Sequence, residues 1–335
     1  LSKLACGVIG LGRLGFKHAE TIAGRLANAK LVAVADPLKD NRERFLDRFN
    51  QVKAYADYHD LLNDRDVNAV IIATPTSTHA RIVVEAMEAG KAVFCEKPLS
   101  LDIDEANWVV QETEKRGAFV QVGFMRRFDR GYVAAKEKLL SGEMGQPVFI
   151  HCIGRDPCAP PLEFARDSGG LFLDMCIHDI DLARWLMDSE VTRVYAQGGI
   201  LMYPELKEIG DIDHANILVT FANGTLGSLE GSRNARYGYD VRTEIICTRG
   251  ALFVGQLQHT PCLILNKAGV THDVVPWFAQ RFDQAYLDEL SNFVQNVLEN
   301  REPSITVQDG LMAVKIAVAV QKSFISGQAV TLDQV

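Results

Sequence analysis

The 335-residue chain has no Cys-x-x-C pair, no run rich in Lys or Arg, and no apolar stretch near the roughly 20 residues that a membrane-spanning helix needs. Each absence excludes a class of function. The seven cysteines (Cys6, Cys95, Cys152, Cys158, Cys176, Cys247, Cys262) are odd in number and scattered, which argues against a disulfide framework and a zinc ribbon and fits a reducing, cytoplasmic setting. Positive charge is in deficit: 35 Lys and Arg face 43 Asp and Glu, a net charge of −8, so no nucleic-acid partner is expected. Lys3 leads straight into an apolar stretch bearing glycines, without a signal-peptide core and cleavage site, so neither export nor a membrane partner is expected. What is present is apolar content, 47% of residues, enough at about 150 residues per domain for two compact domains.

Up to about residue 123, short apolar runs alternate with amphipathic segments: 4–9 before a helical stretch from Arg13, 31–35 before 41–49, and 69–73 before 80–88. This is the β-α-β-α signature of a parallel sheet covered on both faces. Further strands are expected at 92–95 and 118–122, around a helix over 103–115. After Gly123 the rhythm changes. Segments 148–154, 191–198, 215–221, 226–230, 243–247 and 262–266 read as strands, and Asn223-Gly224 between two of them signals a hairpin. Two helices, 284–300 and 308–326, close the chain on either side of Pro303. The expected class is α/β: a doubly wound domain over residues 1–123, then an α/β domain over 124–335 whose last helix could pack on either.

Gly10-Leu11-Gly12-Arg13-Leu14-Gly15 is a G-x-G-x-x-G placed between an apolar strand and a helix, with a second strand ending in Asp36, the three parts of a dinucleotide fingerprint. Gly10 allows the tight turn and Gly12 the approach of a pyrophosphate, which Arg13 and Leu14 meet at the helix N-terminus. Asp36 can accept from both hydroxyls of an adenosine ribose, and a 2′-phosphate would face its carboxylate, so NAD is expected rather than NADP. The competing role is a cap for the helix after Pro37. Thr74, Pro75 and His79 follow the strand 69–73 and are candidate cofactor contacts, with Thr76 or Ser77 as the alternative N-cap of the helix from Ala80.

Glu96-Lys97-Pro98 ends the strand 92–95 and faces the same crevice; Glu96 and Lys97 are therefore cofactor candidates. A Lys there can donate to a substrate oxygen as it becomes a carbonyl, or merely pair with Glu96. In the second half, apolar residues 177, 180, 182, 185 and 186 trace a helical stripe, which sets Asp174 and His178 one turn apart on one face with Asp181 nearby. A carboxylate beside an imidazole suits a base that removes a hydroxyl proton; a solvated Asp/His pair or a metal held by Asp174, His178 and Asp181 are the alternatives.

In this order these motifs resemble the glucose-fructose oxidoreductase and inositol dehydrogenase (Gfo/Idh/MocA) family over essentially the whole chain. Residues 94–99 (FCEKPL), 120–129 (VQVGFMRRFD) and 237–240 (YGYD) are most similar to its bacterial inositol dehydrogenase branch. The resemblance implies a Rossmann domain, a C-terminal domain with an open, mostly antiparallel sheet, a homotetramer assembled through those sheets, and NAD-dependent oxidation of a ring hydroxyl of myo- or scyllo-inositol. It implies a catalytic trio of Lys97, Asp174 and His178, with His178 the base. It also puts Arg127 near the substrate, alongside Arg155, Asp156 and Asp181, and lets Tyr237 or Tyr239 reach a neighbouring subunit's site. For Arg127 the bland alternative is a pair with Asp129, and for the tyrosines cross-strand packing. The chain departs from the family at Gly154-Arg155-Asp156, where myo-inositol enzymes carry His-Arg-Asn, which leaves the isomer open. Rival readings are another sugar or dihydrodiol dehydrogenase of the same fold, and a non-catalytic NAD-binding regulator, which would need no acid/base pair.

Overall fold

The computed structural model describes residues 3–335. The chain forms two compact units, one of residues up to Met125 together with Tyr286–Val314, the other of Arg126–Ala285 with Lys315–Val335.

In the first unit, β1 (Leu4–Ile9), β2 (Ala29–Ala35), β3 (Lys53–Tyr55), β4 (Ala69–Ile72), β5 (Ala92–Glu96) and β6 (Val120–Gly123) form a parallel sheet ordered β3-β2-β1-β4-β5-β6. Every residue of β4 is buried, as a strand covered on both faces requires. The crossovers are α1 (Arg13–Gly24), α2 (Lys39–Leu46), α3 (Tyr58–Asn63), α4 (His79–Glu88) and α5 (Ile103–Arg116). α5 shows how local sequence sets an element. Asp102 caps it by accepting from the Asp104 and Glu105 N–H groups, acidic residues occupy its first turn and Lys115 and Arg116 its last, and Gly117 at φ +56° stops it. Later in the chain, Phe293 of α10 (Asp283–Leu298) returns to this core, its ring 5.7 Å from that of Phe94 on β5.

In the second unit, β7 (Pro147–Arg155), β8 (Val191–Gly199), β9 (His214–Phe221), β10 (Leu226–Ser232), β11 (Asp240–Cys247), β12 (Gly250–Gly255) and the two-residue β15 (Val330–Thr331) make a sheet ordered β12-β11-β7-β10-β9-β8-β15. Its neighbours are antiparallel except β7 and β10, and Asn223-Gly224 turns β9 into β10 as the sequence predicts. One face buries Ile150 and Cys152 of β7, Ile217 and Val219 of β9 and Leu229 of β10, on the side where α6 (Arg130–Leu140) and α8 (Ile177–Met187) pack. The last helix, α11 (Val307–Ser326), contributes its residues up to Val314 to the first unit and the rest to the second, where Ser323 Oγ accepts from the Ala196 N–H on β8 at 3.0 Å.

One expected helix is corrected. The segment carrying Asp174 is a π-helical turn, Leu171–Cys176, and α8 begins only at Ile177. A π turn widens the helix to more than four residues per turn, so the one-turn spacing of Asp174 and His178 spans a change of pitch rather than a plain α-helix. Among the described residues no helix is long and apolar enough to cross a membrane, and the seven cysteines are free.

Candidate functional site

The first unit builds a cradle at the carboxyl ends of its strands. With the order 3-2-1-4-5-6, the topology reverses between β1 and β4, where a doubly wound sheet opens a crevice for a dinucleotide. The loop after β1 is anchored by the Gly10 N–H to the Ala35 oxygen at 2.7 Å, with Gly10 at φ +90°. A Cβ on Gly15 would lie 1.9 Å from the Gly10 oxygen, so only glycine lets α1 come this close, whereas a Cβ on Gly12 would meet nothing within 4 Å. Gly12 is the N-cap of α1 and brings no capping side chain, which leaves the helix terminus open to an anion. These features fit a dinucleotide pyrophosphate.

Asp36, just past β2 and 6% exposed, does not cap α2, whose N-cap is Leu38 without a side-chain hydrogen bond. Its Oδ2 accepts from the Leu11 N–H at 2.7 Å and the Asn41 amide at 3.2 Å, and its Oδ1 from the Leu38 N–H at 2.8 Å, beside the start of α2. The carboxylate therefore fastens the glycine loop as well as the following turn. After β4, neither Thr76 nor Ser77 caps a helix: residues Thr76–Thr78 form a 3-10 turn, α4 starts at His79, and Thr78 Oγ1 donates to Thr74 Oγ1 at 2.7 Å. His79 is buried with both ring nitrogens on carbonyls, Nδ1 2.8 Å from Pro98 O and Nε2 3.0 Å from Thr74 O. It thus ties the loop after β4 to the loop after β5. Burial pushes its pKa below the usual imidazole value, with the two carbonyls pulling the other way.

Lys97 follows β5 and precedes a cis proline, Pro98. Glu96 lies behind it: its Oε2 accepts from the Lys97 N–H at 3.3 Å, and its Oε1 is 2.7 Å from Nε2 of His18 on α1. Both members of the His18 and Glu96 pair are buried. Sequence reasoning missed His18, although its place on α1 between Gly15, Ala19 and Ile22 marks a polar group on a buried face.

In the second unit, Asp174 sits in the π turn and His178 in the first turn of α8. Asp181, 1% exposed, is engaged bidentately by Arg127, with Nε to Oδ2 at 2.9 Å and Nη2 to Oδ1 at 2.6 Å. Asp129, the alternative partner considered for Arg127, takes Arg281 at 2.6 Å and caps α6 through the Gly131 N–H. Arg126, next to Arg127, pairs with the buried Asp179 at 2.6 Å. Burial pushes the Asp179 carboxyl above its ordinary value and Arg126 pulls against it. Asp179 also bears on the departure at Gly154, because a Cβ there would stand 2.6 Å from Asp179 Oδ2.

Arg155 ends β7 inside a charged network, bidentate to Glu230 at 2.7 and 2.8 Å and 3.0 Å from the Tyr237 hydroxyl. Tyr237, half exposed, donates to Asp240 Oδ2 at 2.7 Å, whereas Tyr239 is buried against Trp277 and Phe282. Of the two tyrosines only Tyr237 is open to a neighbour. Asp156 continues from β7, its N–H on the Ser232 oxygen at 2.8 Å. No sequence motif points to Arg233 and Asp211, which stand beside the π turn. Among the described residues no group of three or more His, Cys, Asp or Glu is arranged to hold a metal.

Two family models match the chain: residues 4–124 match an oxidoreductase family with an NAD-binding Rossmann fold, and residues 132–253 match the GFO/IDH/MocA C-terminal domain. A scyllo-inositol 2-dehydrogenase (NAD(+)) of Bacillus subtilis is 40% identical over 99% of this chain and 97% of its own length. A myo-inositol 2-dehydrogenase of Thermotoga maritima is 38% identical over 98% of each chain. The crystal structure of scyllo-inositol dehydrogenase from Lactobacillus casei with bound NAD(H) and scyllo-inositol has a TM-score of 0.94 at 35% identity, covering 99% of this chain and 100% of that one.

Proposed function

The chain belongs to the Gfo/Idh/MocA oxidoreductase family, and from that premise we propose that it is an NAD-dependent inositol 2-dehydrogenase, oxidising a ring hydroxyl of myo- or scyllo-inositol to the inosose. The observation that carries this reading is full-length similarity, on both domains, to relatives named for that reaction. The division of labour is cofactor binding by residues 1–123 and substrate binding and assembly by 124–335. The reaction belongs in the cytoplasm and the assembly is a homotetramer.

Gly10, Gly12, Arg13 and Leu14 would hold the pyrophosphate of NAD and Asp36 its adenosine ribose, with Thr74, Pro75, His79 and Glu96 shaping the loops around it. When bound, NAD supplies the hydride acceptor. The residues of the chain do the proton chemistry. His178 takes the hydroxyl proton, Asp174 orients the imidazole and stabilises its protonated form, and the Lys97 ammonium donates to the oxygen as it becomes a carbonyl. Arg127, Arg155, Asp156, Asp181 and Tyr237 supply paired donors and acceptors suited to neighbouring hydroxyls of a cyclitol. A regulator would have no use for the acid/base group.

The test is a screen of cyclitols, aldoses and trans-dihydrodiols with NAD, read by NADH absorbance. Turnover on scyllo- or myo-inositol at least tenfold above any aldose supports the reading, and activity confined to aldoses or trans-dihydrodiols overturns it. His178→Ala and Lys97→Ala should each lower kcat by about 10²–10⁴ while NAD still binds. A near-normal kcat in either variant removes that residue from the mechanism.

A further inference from the structure

Arg233, one residue past β10, is fully withdrawn from solvent, and its guanidinium lies between two carboxylates. Nη1 donates to Asp211 Oδ2 at 2.5 Å; Nη2 makes no hydrogen bond with a described residue and lies 3.7 Å from Asp174 Oδ2. Asp211 has a second task. Its Oδ1 accepts at 2.8 Å from the N–H of Leu171, the first residue of the π turn. The preceding Gly170 has φ +74°, and a Cβ on it would stand 2.7 Å from that same oxygen. The turn is therefore pinned at its entry by Asp211, and Arg233 forms an ion pair with it at Asp174.

A guanidinium is a rigid planar fork, so holding Nη1 on Asp211 restricts where Nη2 can stand, and it stands 3.7 Å from Asp174 Oδ2. Charge balance alone does not account for the arrangement. Asp211 is 7% exposed and suffices as counter-ion, whereas Asp174 keeps 21% of its side chain accessible. The spare donor of the buried cation stands beside the carboxylate that still faces outward, and that carboxylate belongs to the proposed catalytic trio. Resting on that reading of the site, we infer that Arg233 is a positioning residue: backed by Asp211, it fixes the Asp174 carboxylate in the π turn and through it the orientation of His178.

Two variants of the full-length chain test this. Arg233→Lys keeps a positive charge but loses the planar fork; Asp211→Asn keeps an acceptor for the Leu171 N–H but loses the charge that holds the guanidinium. Under saturating NAD and the inositol that the wild type oxidises, each should lower the single-turnover rate constant, measured per folded molecule, by about tenfold or more. The dissociation constant for NAD, read by fluorescence, should stay within about twofold. In an Asp174→Asn background, where slow turnover is followed for hours, neither change should cost more than about twofold further. Unchanged rate constants, or losses that multiply undiminished in that background, would overturn the inference, because a purely structural role acts equally in both backgrounds. Should Arg233→Lys fail to fold, Asp211→Asn decides alone. A wild type that oxidises no inositol overturns the functional reading and this inference with it, whereas with an active wild type a failure of the variants to respond counts against Arg233 alone.

Discussion

A carboxylate offers about four acceptor positions, and Asp36 has filled three of them with the Leu11 and Leu38 N–H groups and the Asn41 amide. Removing the side chain therefore does more than remove a ribose contact, since it also frees the glycine loop. Asp36→Ala should raise KM for NAD through loss of the ribose contact and of the glycine-loop anchor together. Asp36→Asn keeps an acceptor for the Leu11 N–H but loses the charge, which at ~4 Å from a 2′-phosphate is worth about 4 kcal/mol at an effective dielectric near 20. In that variant the ratio of kcat/KM for NAD over NADP should fall by more than tenfold, measured with both cofactors at one inositol concentration. An undiminished ratio would show that the charge of Asp36 takes no part in choosing the cofactor.

Among the loops of the second unit, the segment 201–203 hangs on a single buried side chain. Asp213 accepts from the Leu201, Met202 and Tyr203 N–H groups and from the Asn234 amide, at 2.7 to 3.1 Å. Burial pushes its carboxyl up, but these donors outweigh burial and hold it below its ordinary value of 3.8. Because the folded value is the depressed one, the stabilisation is present above about pH 4 and is lost as the pH falls through the folded pKa. Asp213→Asn should lower Tm by about 5 °C at pH 7. The gap from wild type should narrow steadily below pH 4 in thermal unfolding at stepped pH. A gap constant with pH would mean that the charge carries none of the effect. Elements like β4 or α5 were legible in the sequence because both-face burial writes a continuous apolar run and caps write their own residue types. The π turn was not. An apolar stripe registers a helix but not its pitch, and the acceptor that pins the turn lies 40 residues away. The same distance hid the supporting residues of the site: Lys97, Asp174 and His178 stand in recognisable motifs, whereas His18 meets Glu96 across 78 residues and Arg233 meets Asp211 across 22. The three-residue β3, on the sheet edge with no fully buried residue, carries too short a pattern to read.

For the molecule as a whole, the second sheet presents an unsolved burial problem. On the face opposite α6 and α8, Ile246 of β11, Phe149 of β7 and Leu226 of β10 stand side by side in register, with Leu218 on the neighbouring β9 and Phe253 on β12. Phe253 is 66% exposed, Leu218 54%, Leu226 51% and Ile246 42%. Strands lie about 4.8 Å apart, so these side chains form a contiguous apolar patch across five strands rather than scattered surface residues. A second copy of the same sheet can cover it, which is the arrangement the proposed homotetramer uses. Light scattering coupled to gel filtration should give the wild type four times the chain mass of 37.0 kDa. The double variant Leu226→Lys and Ile246→Lys places two like charges in the middle of the patch on every copy, where burial would leave them unpaired. It should elute at half that mass or less, while far-UV circular dichroism and the affinity for NAD, which the first unit governs, remain at wild-type values. A wild type that runs as a monomer at micromolar concentration would refute assembly through this face. A double variant that stays tetrameric would move the interface elsewhere on the chain.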